Sequence, residues 1–356
     1  MTAPPAAAPL RVAVVGAGAF GRNHLRVYRE LQQAGVPVEI AAVVDSNPDT
    51  LAAASAQYSV PGFATIEASL AHFDQPALTQ PGTRGLHAAS VCVPTVAHAE
   101  CAATLLAAGI DLLIEKPLAA TLAEADAIIH QARAHNLIVQ VGHLERFNPA
   151  VRAARDLLNC PMFFEVHRLS VFTPRSLDVD VVLDLMIHDL DIVMNLVASP
   201  VREVRAVGLP VLSRKVDIAN VRLEFENGCV ANFTASRVST EQVRKMRFFQ
   251  PRQYLSLDFA RQDLLLIDVP ELSAANAKDP TQQPTAEAAA HPSAGLTLRK
   301  APIEPGEPLR LELAAFLEAV RTRTQPVVTV EDGRAALALA LEINAAIASH
   351  AQRTGL

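Results

Sequence analysis

The sequence predicts two domains of the α/β class. A doubly wound parallel sheet covers residues 1–145, and an α+β domain with a largely antiparallel open sheet covers 146–356. Three observations carry this. Up to about residue 145, β-branched apolar runs alternate with amphipathic helical stretches, a pattern that requires right-handed crossovers between parallel strands. Beyond it strands dominate, with Asn227-Gly228 between two strand-like runs, the strongest short hairpin signal. A chain of 356 residues is also about two domains long.

In order, LRVAVV (10–15) reads as a buried strand, and a helix follows from about Ala19 to Ala34, with Gly35 where a helix C-terminal glycine belongs. VEIAAVV (38–44), ASVCV (89–93), DLLI (111–114) and LIVQVG (137–142) are further strands. Helices are expected near 96–108 and 121–135, the latter opened by a capping box of Thr121 with Glu124. The second domain starts with a helix around 148–158, a long strand over 163–172 and a helix near 181–197. Strands fill 201–268, and helices near 308–322 and 331–349 close the chain. Between them, residues 270–305 are rich in Pro, Ala, Thr and Gln without periodicity, and read as a surface excursion.

Composition narrows the function classes. Half of the residues are hydrophobic and 19% are charged, so the chain is neither disordered nor fibrous. A net charge of −6 gives no overall basicity for nucleic acid or an anionic membrane. No run reaches the ~18 uncharged apolar residues of a spanning helix, and MTAPPAAAPL lacks the basic start of a secretion signal. Four cysteines, Cys92, Cys101, Cys160 and Cys229, lack both disulfide-framework and zinc-ligand spacing. The expectation is a cytoplasmic protein without a metal.

Gly16-Ala17-Gly18-Ala19-Phe20-Gly21 follows the first strand and opens the first helix. The first glycine permits the tight turn, and the second lets backbone approach a pyrophosphate. The third allows close helix–strand packing, and the helix N-terminus faces the anion. Asp45 ends the second strand 24 residues past Gly21, placed to bind the adenosine ribose hydroxyls and to repel a 2′-phosphate. This is a Rossmann dinucleotide site, for NAD in preference to NADP.

Three further segments go beyond the fold: Pro94-Thr95-Val-Ala-His98 after the fourth strand, Glu115-Lys116-Pro117 after the fifth, and Asp184-Leu-Met-Ile-His188 on a helix of the second domain. Alone, each is an ordinary surface lysine or a helix-face pair. Together with the glycine loop, in this order, they make the chain resemble the glucose–fructose oxidoreductase/inositol dehydrogenase (Gfo/Idh/MocA) family from about residue 10 to 350. The resemblance implies that Lys116 touches both nicotinamide and the substrate hydroxyl, and that His188 is the general base with Asp184 one turn before it. It also implies that Pro94, Thr95, His98 and Glu115 join the glycine loop around the cofactor, and that the Lys116–Pro117 bond is cis. The chemistry suits these residue types. A histidine titrates near neutral pH and can take a hydroxyl proton while hydride leaves the same carbon, and an ammonium stabilises the developing alkoxide.

Two features bear on the substrate. Gly142-His-Leu-Glu-Arg146-Phe-Asn148-Pro149, together with residues 183–193, is similar to the branch of the family that oxidises nucleotide-linked amino sugars. It places Arg146 and Asn148 at the substrate and implies oxidation at C3 of UDP-N-acetylglucosamine. Arg237, Arg244, Lys245, Arg247 and Arg252 are opposed within 237–252 only by Glu241, and suit a sugar-nucleotide diphosphate, with Arg247 the chosen contact. The same cluster also suits a solvated or intersubunit sheet edge. The alternatives are a dehydrogenase of a free sugar or cyclitol and a catalytically inactive NAD-binding regulator. The intact Lys116, Asp184 and His188 argue against the regulator. By resemblance, the open sheet implies a homodimer or homotetramer.

Overall fold

The computed structural model describes residues 8–74, 85–172, 179–269, 289–290 and 296–355. The chain forms two compact units, residues 1–144 with 307–337, and residues 145–306 with 338–356.

In the first unit the chain runs β1 (Leu10–Val15), α1 (Ala19–Gln33), β2 (Val38–Val44), α2 (Pro48–Tyr58), β3 (Gly62–Phe63), α3 (Ile66–Phe73), β4 (Ala88–Val91), α4 (His98–Ala107), β5 (Asp111–Glu115), α5 (Leu122–Ala134) and β6 (Val139–Gly142). The strands pair in parallel in the order β3-β2-β1-β4-β5-β6, the doubly wound arrangement expected. Local chemistry sets the helix starts. Asn47 accepts the Asp49 and Thr50 N–H groups ahead of Pro48 at the start of α2, Thr65 caps α3, and Thr121 with Glu124 forms the capping box of α5. Gly18 caps α1 without a side-chain acceptor, which leaves first-turn N–H groups for a ligand.

The second unit contains α6 (Pro149–Arg155), β7 (Phe163–Val171), a π-helical turn (Val182–Met186) running into α7 (Ile187–Val197), β8 (Val201–Leu209), β9 (Ile218–Phe225), β10 (Val230–Ser239), β11 (Val243–Gln250), β12 (Gln253–Asp258), β13 (Asp263–Asp268), β14 (Ala289–Ala290) and β15 (Thr297–Lys300). Their sheet runs β14-β15-β13-β12-β11-β7-β10-β9-β8, and of these pairs only β7–β10 is parallel. The hairpin turn expected at Asn227-Gly228 joins β9 to β10, with Gly228 at φ +85°. Strand alternation splits the sheet into two faces. Phe164, Val166, Phe233, Met246 and Phe248 lie buried in register on one face, Phe164 stacked on Phe248 with ring centroids 5.3 Å apart. Glu165, Lys245 and Arg247 alternate onto the other.

Two helices close the chain, α8 (Pro308–Thr322) and α9 (Val330–Thr354). A second domain running unbroken from 146 to 356 did not anticipate that residues 307–337 return to the first unit. The reason is packing: Leu309, Leu313, Phe316 and Leu317 of α8 are buried with Leu25, Tyr28 and Leu31 of α1, each such side chain contributing about 1.5–3 kcal/mol. Most of the excursion expected over 270–305 lies outside the described residues. Among the described residues no helix is long and apolar enough to cross a membrane.

Candidate active site

The glycine loop is built as its spacing predicts. Gly16 has φ +89°, and a Cβ there would stand 2.7 Å from the Cys92 carbonyl; at Gly21 it would stand 1.8 Å from the Gly16 oxygen. At Gly18 a Cβ would meet nothing within 4 Å, so the space beside the α1 N-terminus is open. Asp45 closes the other side. Its Oδ2 accepts the Ala17 N–H at 2.7 Å and its Oδ1 the Asn47 N–H at 2.8 Å.

Next to the loop is a cavity of about 390 Å³ lined by Gly16, Gly18, Asp45, Pro94, Glu67 and Glu100 among others. Three carboxylates line it, and among the described residues no lysine or arginine does. Glu67 and Glu100 were not legible as site residues, because no local pattern marks a side chain that only β3–α3 and α4 bring to the glycine loop. The features fit a dinucleotide: an open cradle at Gly18, uncapped N–H groups for a pyrophosphate, and a carboxylate for a ribose diol. Ala19 and Phe20 form the first residues of α1.

Beyond β4, Pro94 leads a short 3-10 turn, Thr95–Ala97, into α4. His98, expected at the cofactor, is 1% exposed, and both of its ring nitrogens face backbone carbonyls: Nδ1 is 2.9 Å from the Pro117 oxygen and Nε2 3.0 Å from that of Val93. Burial lowers its pKa. It therefore ties the β4 loop to the turn after β5 rather than presenting a ring to a ligand. In that turn the Lys116–Pro117 bond is cis. Glu115 faces inward, with Oε1 3.0 Å from His24 Nε2. Its carboxylate lies 2.8 Å from where a Gly142 Cβ would stand, so a larger residue at 142 would displace it.

In the second unit Asp184 lies in the π-helical turn and His188 is the second residue of α7. A π turn inside a helical run changes which residues share a face, and such turns recur at functional sites. Arg237, on β10, reaches Asp184 at 3.9 Å and Asp217 at 4.0 Å, and donates to the Val179 carbonyl at 2.6 Å. Two buried ion pairs are built on the α7 residues that follow His188. Arg168 grips Asp189 through two hydrogen bonds of 2.7 Å and reaches Glu145 at 3.1 Å, while Arg146 grips Asp191 at 2.7 and 2.9 Å.

Three residues expected at the substrate pair with other protein groups. Arg146 is committed to Asp191, in a pair 8% and 1% exposed. Asn148 caps α6 through its Oδ1, and its Nδ2 donates to Glu145 and to the Phe259 carbonyl. Arg247 sits on the sheet face opposite the one carrying Arg168 and is 3.6 Å from Glu165. Lys245 shares that far face, 4.0 Å from Asp258. Of the arginine cluster, Arg237 is the member beside Asp184. Among the described residues, no group of three or more His, Cys, Asp or Glu side chains is placed to hold a metal ion.

Comparison with known proteins gives one consistent answer. Residues 10–143 match the oxidoreductase family with an NAD-binding Rossmann fold (GFO_IDH_MocA), and residues 162–250 match the GFO/IDH/MocA C-terminal domain. The UDP-N-acetylglucosamine 3-dehydrogenase of Acidithiobacillus ferrooxidans is 32% identical over 345 residues, 97% of this chain and 99% of that protein. A solved structure of that enzyme superposes with a TM-score of 0.80 at 30% identity, covering 96% of this chain and 98% of its own. An inositol 2-dehydrogenase of Leifsonia xyli is 29% identical over 55% of this chain and 56% of its own.

Proposed function

The chain belongs to the Gfo/Idh/MocA family of NAD-binding oxidoreductases acting on CH–OH groups, and on that premise we propose that it oxidises the C3 hydroxyl of UDP-N-acetylglucosamine to a ketone. The observation that carries this reading is the full-length 32% identity to an enzyme bearing that name. The acidic cavity supports NAD over NADP. A 2′-phosphate beside Asp45, Glu67 and Glu100, with no arginine or lysine among the described lining residues, would be repelled.

When bound, NAD⁺ supplies the hydride acceptor. The Gly16–Gly21 loop and the N-terminus of α1 would hold its pyrophosphate, and Asp45 would accept hydrogen bonds from the adenosine ribose. His188 takes the C3 hydroxyl proton on an imidazole nitrogen as the C3–H bond is broken. The Lys116 ammonium donates to the same oxygen while negative charge develops there. Asp184 supplies a carboxylate one turn before His188, and Arg237 anchors it from the sheet.

One observation favours a second reading, a free sugar or cyclitol as substrate. Lys245 and Arg247, which the sequence offered for a diphosphate, and Arg146, which resemblance placed at the substrate, pair with protein carboxylates. Turnover with NAD⁺ and NADP⁺ against UDP-sugars, free sugars and inositols, followed as NADH absorbance, separates the two. Preferred turnover of UDP-N-acetylglucosamine with NAD⁺ is expected, and faster turnover of a free sugar or inositol would overturn the nucleotide-sugar assignment.

A further inference from the structure

Beneath the Glu115–Lys116 turn, the first unit buries a polar cluster that the chemistry above leaves unused. Glu312 of α8 is completely buried, and neither of its carboxyl oxygens has a hydrogen-bond partner among the described residues. Tyr28 of α1, Cys92 after β4 and Glu115 at the end of β5 lie within electrostatic reach of it, and Gln140 of β6 is bonded to its main chain. Tyr28 is satisfied by Ser90, hydroxyl to hydroxyl at 2.8 Å. Gln140 donates to the Glu312 main-chain carbonyl at 3.3 Å, which leaves its own Oε1 without a donor. His24, the partner of Glu115, has an Nδ1 that is likewise unmatched.

These leftovers are complementary. Gln140 Oε1 needs a donor, as does His24 Nδ1 if the ring donates from Nε2 to Glu115, and the Glu115 carboxylate can accept more than one hydrogen bond. Of the groups facing the cluster, a protonated Glu312 can supply the missing O–H. Ionised, Glu312 would be a second buried carboxylate near Glu115, an arrangement that strongly disfavours the charged form. Burial first, and the Glu115 charge second, hold its carboxyl well above the ordinary carboxylate range.

We propose that Glu312 is a positioning residue: a neutral carboxylic acid whose O–H, across one water, holds Glu115 and with it the Lys116 turn against α1. The inference rests on Lys116 meeting the nicotinamide, as proposed above, but its test uses no sugar substrate, so a wrong substrate assignment leaves it intact.

The test compares wild type with Glu312→Gln, which keeps an N–H donor of similar shape, and with Glu312→Leu, which keeps only the volume. Calorimetric NAD⁺ binding and the melting temperature of the ligand-free chain are measured from pH 5 to pH 8. Glu312→Gln should bind NAD⁺ within about twofold of wild type, and its melting temperature should rise relative to wild type as pH increases, because only wild type carries a folded acid that ionises on unfolding. Glu312→Leu should melt no lower than wild type at pH 8 yet bind NAD⁺ about tenfold more weakly, the loss of one buried hydrogen bond to a charged group. If the leucine variant does not fold, Glu312→Met takes its place. Native NAD⁺ affinity in the apolar variant, or a glutamine-to-wild-type difference in melting temperature that is constant with pH, overturns the proposal.

Discussion

Removing Arg146 should cost this protein its stability rather than its grip on substrate. The Arg146–Asp191 pair is 8% and 1% exposed and joined by two hydrogen bonds of 2.7 and 2.9 Å. Arg146→Ala therefore leaves the Asp191 carboxylate buried without its cation. Breaking a buried pair from one side costs about 3–5 kcal/mol, which is a large part of the ~5–15 kcal/mol that holds a typical domain. Replacing both partners, as in Arg146→Met with Asp191→Leu, removes the uncompensated charge and should recover most of that loss. Arg247→Ala serves as the contrast. Its pair with Glu165 is about 40% exposed on each side and should be worth about 0–1 kcal/mol. Urea unfolding at pH 7, followed by circular dichroism, gives all three values. An Arg146→Ala variant within 1 kcal/mol of wild type, but with KM for a UDP-sugar raised tenfold or more, would refute the reasoning and return Arg146 to the substrate.

Asp45→Ala should weaken NAD⁺ more than NADP⁺ and cut the ratio of their affinities by about tenfold, read by calorimetry; equal losses would remove Asp45 from ribose recognition. Gly21→Ala should fail to fold stably, since its Cβ would stand 1.8 Å from the Gly16 oxygen, whereas Gly18→Ala should melt near wild type and bind NAD⁺ more weakly. The Glu312 carboxyl is raised in the folded state, so its contribution is complete at low pH and is lost as pH rises. Against Glu312→Gln, wild-type stability should fall by about 1.4 kcal/mol per pH unit from the unfolded value near 4.5 upward, until Glu312 ionises in the fold; urea titrations at pH 5, 6 and 7 measure that slope.

The parallel sheet was legible because each of its longer strands is a β-branched apolar run and the glycine loop marks where β1 hands over to α1. The α2–β3–α3 stretch was not. α2 is alanine-rich with little contrast between its faces, and β3 has two residues, too few to show a period. Their caps, Asn47 with Pro48 and Thr65, were the available signals. The return of α8 to the first unit was hidden for another reason: an apolar stripe states that a helix is buried, not which core buries it. At the site, glycine and Asp45 positions follow from spacing because backbone geometry demands them. Arginine roles do not follow in that way. The partner of Arg146 is 45 residues away, and those of Arg237 lie on other elements, so only tertiary structure separates a structural guanidinium from one that meets a ligand.

The most direct measurement is initial-rate NADH formation from UDP-N-acetylglucosamine beside free N-acetylglucosamine and myo-inositol, with His188→Ala and Lys116→Ala alongside wild type. The proposed function predicts that the UDP-sugar is the preferred substrate and that each substitution lowers kcat about a hundredfold or more, with NAD⁺ affinity unchanged in His188→Ala. Faster turnover of inositol or the free sugar, or near-native kcat in His188→Ala, would contradict it.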